Sequence, residues 1–140
     1  MAKRNFNGVQ FSTAPTIVEE AGAAIQDVRN RVVAYDENGK VILAADATTY
    51  PIGVALIEAG ANDVSGKESG AVAAGDDVDI LVHGICYAIA NGAIAKGAAV
   101  SAAANGTVAT ATTGFVLGVA MSAATKAGDY VKVKINQYKA

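Results

Sequence analysis

The chain contains one pattern twice, first as Val32-Val33-Ala34-Tyr35-Asp36-Glu37-Asn38-Gly39-Lys40-Val41 and again as Ala99-Val100-Ser101-Ala102-Ala103-Ala104-Asn105-Gly106-Thr107-Val108. In each copy an Asn-Gly pair separates two runs of β-prone residues. Asn-Gly in this setting predicts a β-hairpin, because a type I′ turn needs a positive φ at both of its central residues. The sequence therefore predicts two copies of one hairpin unit.

Two further features follow each hairpin in the same order. The first is an apolar tag, Ile52-Gly53-Val54-Ala55-Leu56 in one copy and Leu117-Gly118-Val119-Ala120-Met121 in the other. Its glycine, Gly53 or Gly118, predicts a bulge or a close approach of two backbones. The second is an Ala-Gly-Asp turn, with Gly75 or Gly128 at its centre, followed by alternating apolar and polar residues. That alternation is typical of a half-buried strand.

The two copies also differ, and the differences indicate the domain boundaries. The first copy is longer, and its extra residues form a polar, glycine-rich stretch at 60–70 that we expect to be a surface loop. Asn30 aligns with Gly97, and both residue types tolerate the left-handed conformation of a turn. We expect an extended N-terminal arm at 1–21 and one β domain at 22–140, with repeats at about 22–84 and 92–136. Helix is limited to short turns near 21–28 and 122–126.

Composition narrows the class of protein. The chain has 140 residues, of which 52% are hydrophobic and 6% aromatic, with a net charge of -2. The negative charge argues against nucleic-acid binding, and the single cysteine, Cys86, cannot form an internal disulfide. The N-terminus does not resemble a signal peptide, and the apolar run after Ile85 is interrupted by polar residues and glycines. We therefore expect a soluble protein that is made in the cytoplasm and does not bind membranes.

Charged residues are nearly absent from one long stretch. Between Ile80 and Thr125 the only charged side chain is Lys96. Exposed protein surfaces normally carry charges of both signs. We therefore expect this stretch to be either buried in the core or covered by a partner.

Candidate catalytic and metal-binding residues are few. His83 and Cys86 have the His-x-x-Cys spacing of half a metal site or of a nucleophile–base pair, but tetrahedral zinc would need two further ligands. We interpret them as a strand-end histidine and a small apolar cysteine. A group of acidic residues lacks the EF-hand pattern and is interpreted as turn and solvent-facing positions; its members are Asp76, Asp77, Asp79 and Asp129. We predict no catalytic residue, no metal and no cofactor, and thus no enzyme.

Two small basic groups lie near the ends of the chain. One is Lys3 with Arg4, and the other comprises Lys132, Lys134 and Lys139. They could dock on an acidic partner, or they could belong to a solvated tail and to an edge strand that lysines protect from unwanted pairing. The arm could be a disordered tail, but Phe6 and Phe11 favour a tether that inserts into a neighbouring subunit.

The order of these features resembles that of the capsid decoration, or cement, proteins of tailed bacteriophages. The likeness extends over residues 32–56, 75–84 and 92–135. It implies a small β-barrel or β-tulip protein that forms a trimer. Such trimers sit on the outside of the mature head at three-fold and quasi-three-fold positions and stabilise it against the pressure of the packed DNA.

The resemblance also implies partners and a location. The partners would be the major capsid protein and other copies of this chain, with no direct contact to nucleic acid or membrane and no cofactor. The location would be the outer surface of the virion after synthesis in the host cytoplasm, and Lys3, Arg4, Phe6 and Phe11 would contact the capsid or a neighbour. Two alternatives remain at this point: another β-rich virion component of the tail or baseplate, and a small β-barrel enzyme or binding module.

Overall fold

A computed structural model describes residues 15–57, 59–62, 64–65 and 69–140. Within these ranges the chain forms ten β-strands and one three-residue 3-10 turn at Ala104–Gly106. The strands are β1 Thr16–Glu20, β2 Val32–Tyr35, β3 Val41–Leu43, β4 Gly53–Ala55, β5 Asp77–Leu81, β6 Gly84–Ile89, β7 Ala99–Ala103, β8 Thr107–Thr110, β9 Phe115–Ala120 and β10 Tyr130–Lys139. In this part of the chain, no helix has the length and apolar character that a membrane span requires.

The strands form two antiparallel sheets with the same internal order. The first sheet runs β1-β5-β4-β2-β3 and the second runs β6-β10-β9-β7-β8. Strands β6 to β10 thus occupy, in order, the positions that β1 to β5 occupy in the first sheet. This confirms the prediction of an all-β fold built from two repeated hairpin units.

Each sheet curls until its two edge strands touch at one end. Ala21, which follows β1, forms a parallel bridge with Val41 of β3, and Ala90, which follows β6, forms the equivalent bridge with Val108 of β8. The amide of Gly22 donates a hydrogen bond of 2.8 Å to the carbonyl oxygen of Val41. In the second sheet, the amide of Asn91 donates one of 2.7 Å to the carbonyl oxygen of Val108. In the described ranges, the sheets stop short of a closed barrel and are compatible with a sandwich or tulip-like fold.

The hydrophobic core extends across the boundary between the two units. Successive residues of a strand point to opposite faces, so that Val33 of β2 packs inside the first unit while Val32 packs against the second. Val54 of β4 and Leu81 of β5 join Val32 in a cluster that also contains Leu117 of the second unit. The two units are therefore joined by shared core packing.

Hydrogen bonds also connect the two units. The amides of Gly106 and Phe115 donate to the carbonyl oxygens of Ala44 and Ala47, each over 2.8 Å. The side-chain amide of Gln137 donates to the carbonyl oxygen of Ile52 over 2.9 Å. These bonds attach the largely exposed 44–52 segment of the first unit to the second unit.

The two hairpins differ in their turns. Asn105 and Gly106 both have a positive φ, 59° and 70°, as a type I′ turn requires. In the first hairpin Gly39 has a φ of 75°, whereas Asn38 is not in the left-handed region. The Asp36 carboxylate accepts hydrogen bonds from the amides of Asn38 and Lys40, at 2.8 and 2.9 Å. The expected type I′ geometry is thus absent from the first turn, because the Asp36 side chain organises a different one.

Gly53 and Gly118 lie inside β4 and β9 rather than in turns. A β-carbon on Gly53 would lie 2.0 Å from the carbonyl oxygen of Leu81, and one on Gly118 would lie 2.0 Å from that of Lys134. No side chain fits at such a distance, so two backbones approach closely at the same point of each sheet.

Several expected segments have other structures or lie elsewhere. The segments 21–28 and 122–126 contain bends and isolated bridges instead of helical turns. Strand β1 lies within the segment 1–21 that we predict as an arm, and it pairs with β5 in antiparallel register. Residues 63 and 66–68 of the predicted surface loop lie outside the described residues.

Candidate interaction surfaces

The His83–Cys86 pair has no features of a reactive site. Cys86 lies on β6 and packs against the core, and this burial raises the pKa of its thiol to about 12. A thiol with such a pKa is protonated at neutral pH and is a poor nucleophile and metal ligand. Among the residues that the structure describes, no three His, Cys, Asp or Glu side chains are close enough to hold a metal ion.

Two of the acidic candidates cap turns at equivalent positions. The Asp129 carboxylate accepts hydrogen bonds from the amide and hydroxyl of Thr125, at 3.0 and 2.9 Å, and from the amide of Lys126 at 3.2 Å. These bonds, above all those from Thr125, lower the pKa of Asp129. Asp76 caps the matching turn of the first unit, where its carboxylate accepts a hydrogen bond of 3.0 Å from the amide of Ala73. Both carboxylates therefore serve the structure of their turns.

The outer face of β6 and β10 exposes large apolar and aromatic side chains. Cys86 and Ala88 face the core, so the intervening Ile85 and Tyr87 point outward and are 55% and 53% exposed. The residues of β10 that pair with this outward row are also directed outward. We call the combined surface the basic-aromatic face; it consists of Ile85, Tyr87, Ile89, Tyr130, Lys132 and Lys134.

Lysine and tyrosine side chains are adjacent on this face. Lys132 pairs with Tyr87 in the register, and its ammonium nitrogen lies 6.0 Å from the centre of the tyrosine ring. That distance is at the outer limit of a cation–π contact. The face therefore combines positive charge with tyrosine side chains, and tyrosine is among the residues that anchor many protein interfaces.

An apolar groove adjoins the basic-aromatic face where the two units meet. Its volume is about 550 Å³, and the part of its wall outside that face includes Leu56, Ile57 and Leu81. Ile57 is 60% exposed. Ile85, Tyr87 and Tyr130 belong to both the groove and the face, so the two are continuous. Large exposed apolar areas of this kind are typical of contacts with other molecules.

The matching face of the first unit carries the opposite charge. It is formed by β1 and β5, and we call it the acidic face; its residues are Thr16, Val18, Glu20, Asp77 and Asp79. The cross-strand pairs of the two faces correspond. The pair Val18–Asp79 of the acidic face matches the pair Tyr87–Lys132 of the basic-aromatic face. Likewise, the pair Glu20–Asp77 matches the pair Ile89–Tyr130. Glu20 forms an ion pair with Lys40, whereas Asp77 and Asp79 form none with any described residue.

The structure describes only some of the residues that the sequence suggested as contacts. Lys3, Arg4, Phe6 and Phe11 lie outside the described residues. Lys132 and Lys134 lie together on the basic-aromatic face, while Lys139 lies near the other end of β10, with its ammonium 5.5 Å from the centre of the Phe115 ring.

Sequence reasoning did not identify the exposed aromatic row or its charge-reversed counterpart. The signal was present in the repeat itself. Aligning Asp77-Val78-Asp79 with Tyr130-Val131-Lys132 keeps the buried valine and exchanges the residues on both sides of it. A comparison of the outward positions of the two copies would have located both faces.

Comparison with solved structures shows a shared fold. The crystal structure of the head fiber gp8.5 N base of bacteriophage phi29 superposes with a TM-score of 0.60. The match covers 89% of this chain and 96% of that chain, at 20% sequence identity. No curated protein matches the sequence.

Comparison with protein families shows where the chain belongs. The profile of the XM1 gp53 minor capsid protein family matches residues 5–135, which include both repeats. This match confirms the resemblance to head-associated phage proteins. The chain belongs to the XM1 gp53 minor capsid protein family and is a capsid-associated phage protein.

Proposed function

We propose that this protein is a decoration protein that binds the outside of the mature phage head, as a trimer, and strengthens it. Its membership in a minor capsid protein family supports the association with the head. The observation that carries the proposal is the continuous surface formed by the apolar groove and the basic-aromatic face. Such a surface is suited to contact with proteins.

The proposed role follows from the mechanics of a filled head. Packed DNA pushes the shell outward, and a protein that spans the boundary between capsid subunits raises the free energy needed to separate them. A trimer engages several capsid sites at once. Linked contacts of this kind can raise the apparent affinity by roughly 10²–10⁴ over a single contact.

We further propose that the N-terminal arm contacts the major capsid protein or a neighbouring subunit through Lys3, Arg4, Phe6 and Phe11. The two aromatic side chains would supply apolar anchors and the two cations would supply attraction to an acidic surface. The chain would then act on the exterior of the virion after its synthesis in the host cytoplasm.

Removal of residues 1–14 tests the arm directly. Pro15 should be kept, because its carbonyl oxygen accepts a hydrogen bond of 2.7 Å from the amide of Val82 and β1 begins at the next residue. Purified full-length protein and the truncated variant would be sedimented with heads that lack this protein. We expect the truncation to reduce head binding at least about tenfold while the circular dichroism of the β-sheets stays unchanged.

A matched control replaces Lys96 and Lys126, two exposed lysines outside the arm, by alanine. It should bind heads as the full-length chain does. Full binding by the truncated chain would move the capsid contact to the folded domain. Failure of the full-length chain to bind would reject the decoration function.

The fold similarity favours a second candidate function. The phi29 protein is the N base of a head fiber, and its fold matches 89% of this chain. By analogy, this chain could form the base on which a longer appendage stands. Images of decorated heads distinguish the two functions, because a decoration protein leaves a compact knob and a fibre base carries an extended projection.

A further inference from the structure

We propose that copies of this chain associate head to tail, with the acidic face of one copy bound to the basic-aromatic face of the next. The inference rests on the self-association part of the proposed function and specifies the two surfaces that would perform it. It does not depend on how the protein attaches to the head.

The first support is that the duplicated sheet presents two different faces on one backbone geometry. Thr16, Val18 and Glu20 of β1 stand where Ile85, Tyr87 and Ile89 of β6 stand in the second unit. On the adjacent strands, Asp77 and Asp79 stand where Tyr130 and Lys132 stand. One molecule therefore carries two surfaces on equivalent strand pairs with opposite charge, although the counterpart of Lys134, Leu81, is buried against the second unit.

The second support is that the charges are available to a partner. Asp77 and Asp79 have no ion pair with any described residue of their own chain, and the same holds for Lys132 and Lys134. Bringing the two faces of different copies together would pair two carboxylates with two ammonium groups. Complementary charges of this kind speed association and fix the relative orientation of the partners.

The third support is the apolar area on both faces. Val18 is 58% exposed at the centre of the acidic face, next to Thr16, and Tyr130 is equally exposed on the basic-aromatic face. Burial of these side chains would supply free energy at about 25 cal/mol per Å² of apolar surface. The charges would then provide specificity to a contact that the apolar residues stabilise.

The arrangement also disfavours a two-fold dimer whose axis passes through either face. A two-fold contact brings the same patch of both subunits together. If the axis passed through the basic-aromatic face, Lys132 and Lys134 would face the lysines of the partner. If it passed through the acidic face, Asp77 and Asp79 would face the aspartates of the partner. Like charges at an interface are unfavourable. A contact between two different faces instead generates a ring when the rotation closes, as in the proposed trimer.

Charge reversal tests this inference with the full chain. One variant combines Asp77→Lys with Asp79→Lys, a second combines Lys132→Asp with Lys134→Asp, and a third carries all four changes. Sedimentation velocity would measure self-association over a range of protein concentrations and at two salt concentrations. A charge control, Lys96→Asp with Lys139→Asp, reverses two exposed lysines that lie outside both faces.

We expect each two-residue variant to raise the dissociation constant of the oligomer at least about tenfold. The four-residue variant restores the opposite signs across the contact and should return the constant to within about threefold of the unchanged chain. Added salt should weaken the association of the unchanged chain, because partly exposed charge pairs are screened. The charge control should associate normally, and circular dichroism would verify that every variant is folded.

Three outcomes would overturn the inference. They are a monomeric unchanged chain at 100 µM, normal self-association of either two-residue variant, and failure of the folded four-residue variant to recover. If Lys132→Asp with Lys134→Asp reduced head binding but left self-association unchanged, the basic-aromatic face would be a capsid contact instead. A monomer that still bound heads would refute this inference and the proposed trimer but not head binding, and an oligomer that bound no heads would refute only the decoration function.

Discussion

Asp79 and Lys132 occupy the same position in the two halves of the molecule. Each is the outward residue between two buried ones, Val78 and Ile80 in the first half, and each pairs with an outward residue of the neighbouring edge strand. The core positions around them are apolar in both halves, whereas the charge of the outward side chain is negative in the first half and positive in the second. The two halves therefore share the packing of the sheet and present different surfaces.

The close approach at Gly118 predicts a large effect of a single methyl group. Gly118→Ala would place a β-carbon 2.0 Å from the Lys134 carbonyl oxygen, so β9 and β10 would have to separate. We expect the free energy of unfolding to fall by about 3 kcal/mol or more, as measured by chemical denaturation. Gly92→Ala is the matched control, because a β-carbon there meets no atom within 4 Å; its effect should stay below about 0.5 kcal/mol. Equal stability of the two variants would contradict the strand packing described here.

The left-handed residue before β2 predicts a difference between two substitutions. Asn30 has a φ of 58°, a region that glycine enters freely and alanine does not. We expect Asn30→Ala to be less stable than Asn30→Gly by about 1 kcal/mol, measured by thermal and chemical unfolding. Gly97→Ala, at the equivalent position of the second unit, should be destabilised for the same reason. The prediction fails if alanine and glycine are equally tolerated at position 30.

The burial of Cys86 predicts a protected thiol. Because burial raises the pKa of this thiol to about 12, little thiolate exists at pH 8, and a thiol reagent should label the native protein much more slowly than the unfolded protein. A variant with Cys86→Ala and Met121→Cys carries its thiol at a more exposed site and should react quickly. Rapid stoichiometric labelling of native Cys86 would show that the thiol is not buried.

The same pKa has a consequence for stability at high pH. The unfolded chain loses the thiol proton near the ordinary value of 9.0, while the folded chain holds it to about 12. Between these values the folded state binds more protons, so stability should decrease as pH rises through this window. The Cys86→Ala variant should lack this component of the decrease. An identical dependence of both proteins on pH from 9 to 11 would contradict the assignment.

The turn cap at Asp129 predicts a dependence on low pH. Hydrogen bonds from Thr125 hold the pKa of Asp129 below its ordinary value of 3.8. The stabilisation is complete at pH values above the pKa that Asp129 has in the unfolded chain. It is lost as the pH falls through the lower pKa that Asp129 has in the folded chain. Asp129→Ala should therefore lower the melting temperature at pH 7, and the difference from the unchanged chain should shrink below pH 3. Glu37→Ala, at an exposed turn position, serves as the control; a difference that does not vary with pH would argue against the cap.

Much of the fold could be predicted from the sequence because the repeat has local markers. Asn105 with Gly106, and the alignment of Asn30 with Gly97, depend on the backbone preferences of single residues. Strand β1 was harder to predict, because the segment has no marker in common with its counterpart β6 and its strand pairs with β5, which lies far along the chain. Asn38 shows a second limit, since the nearby Asp36 carboxylate determines the turn.

The interaction surfaces depend on relations that one sequence displays poorly. The charge-poor stretch after Ile80 indicated burial or a partner, and the structure shows both kinds of position in it: Ala88 and Leu117 are buried, while Ile85 and Tyr87 are exposed. The sequence pattern alone cannot distinguish buried from exposed positions here, because both kinds of position carry apolar residues. The groove at Leu56 requires the packing of one unit on the other, which no local signal predicts. The family match supports the resemblance to phage capsid proteins at the level of head association.

The central claim is that this protein attaches to the phage head as an oligomer. The most direct measurement is electron cryomicroscopy of heads that lack the protein, imaged before and after addition of the purified full-length chain. We predict added density on the outer surface at three-fold and quasi-three-fold positions, with three copies joined through their acidic and basic-aromatic faces. Heads that show no added density at saturating concentrations of folded protein would contradict it.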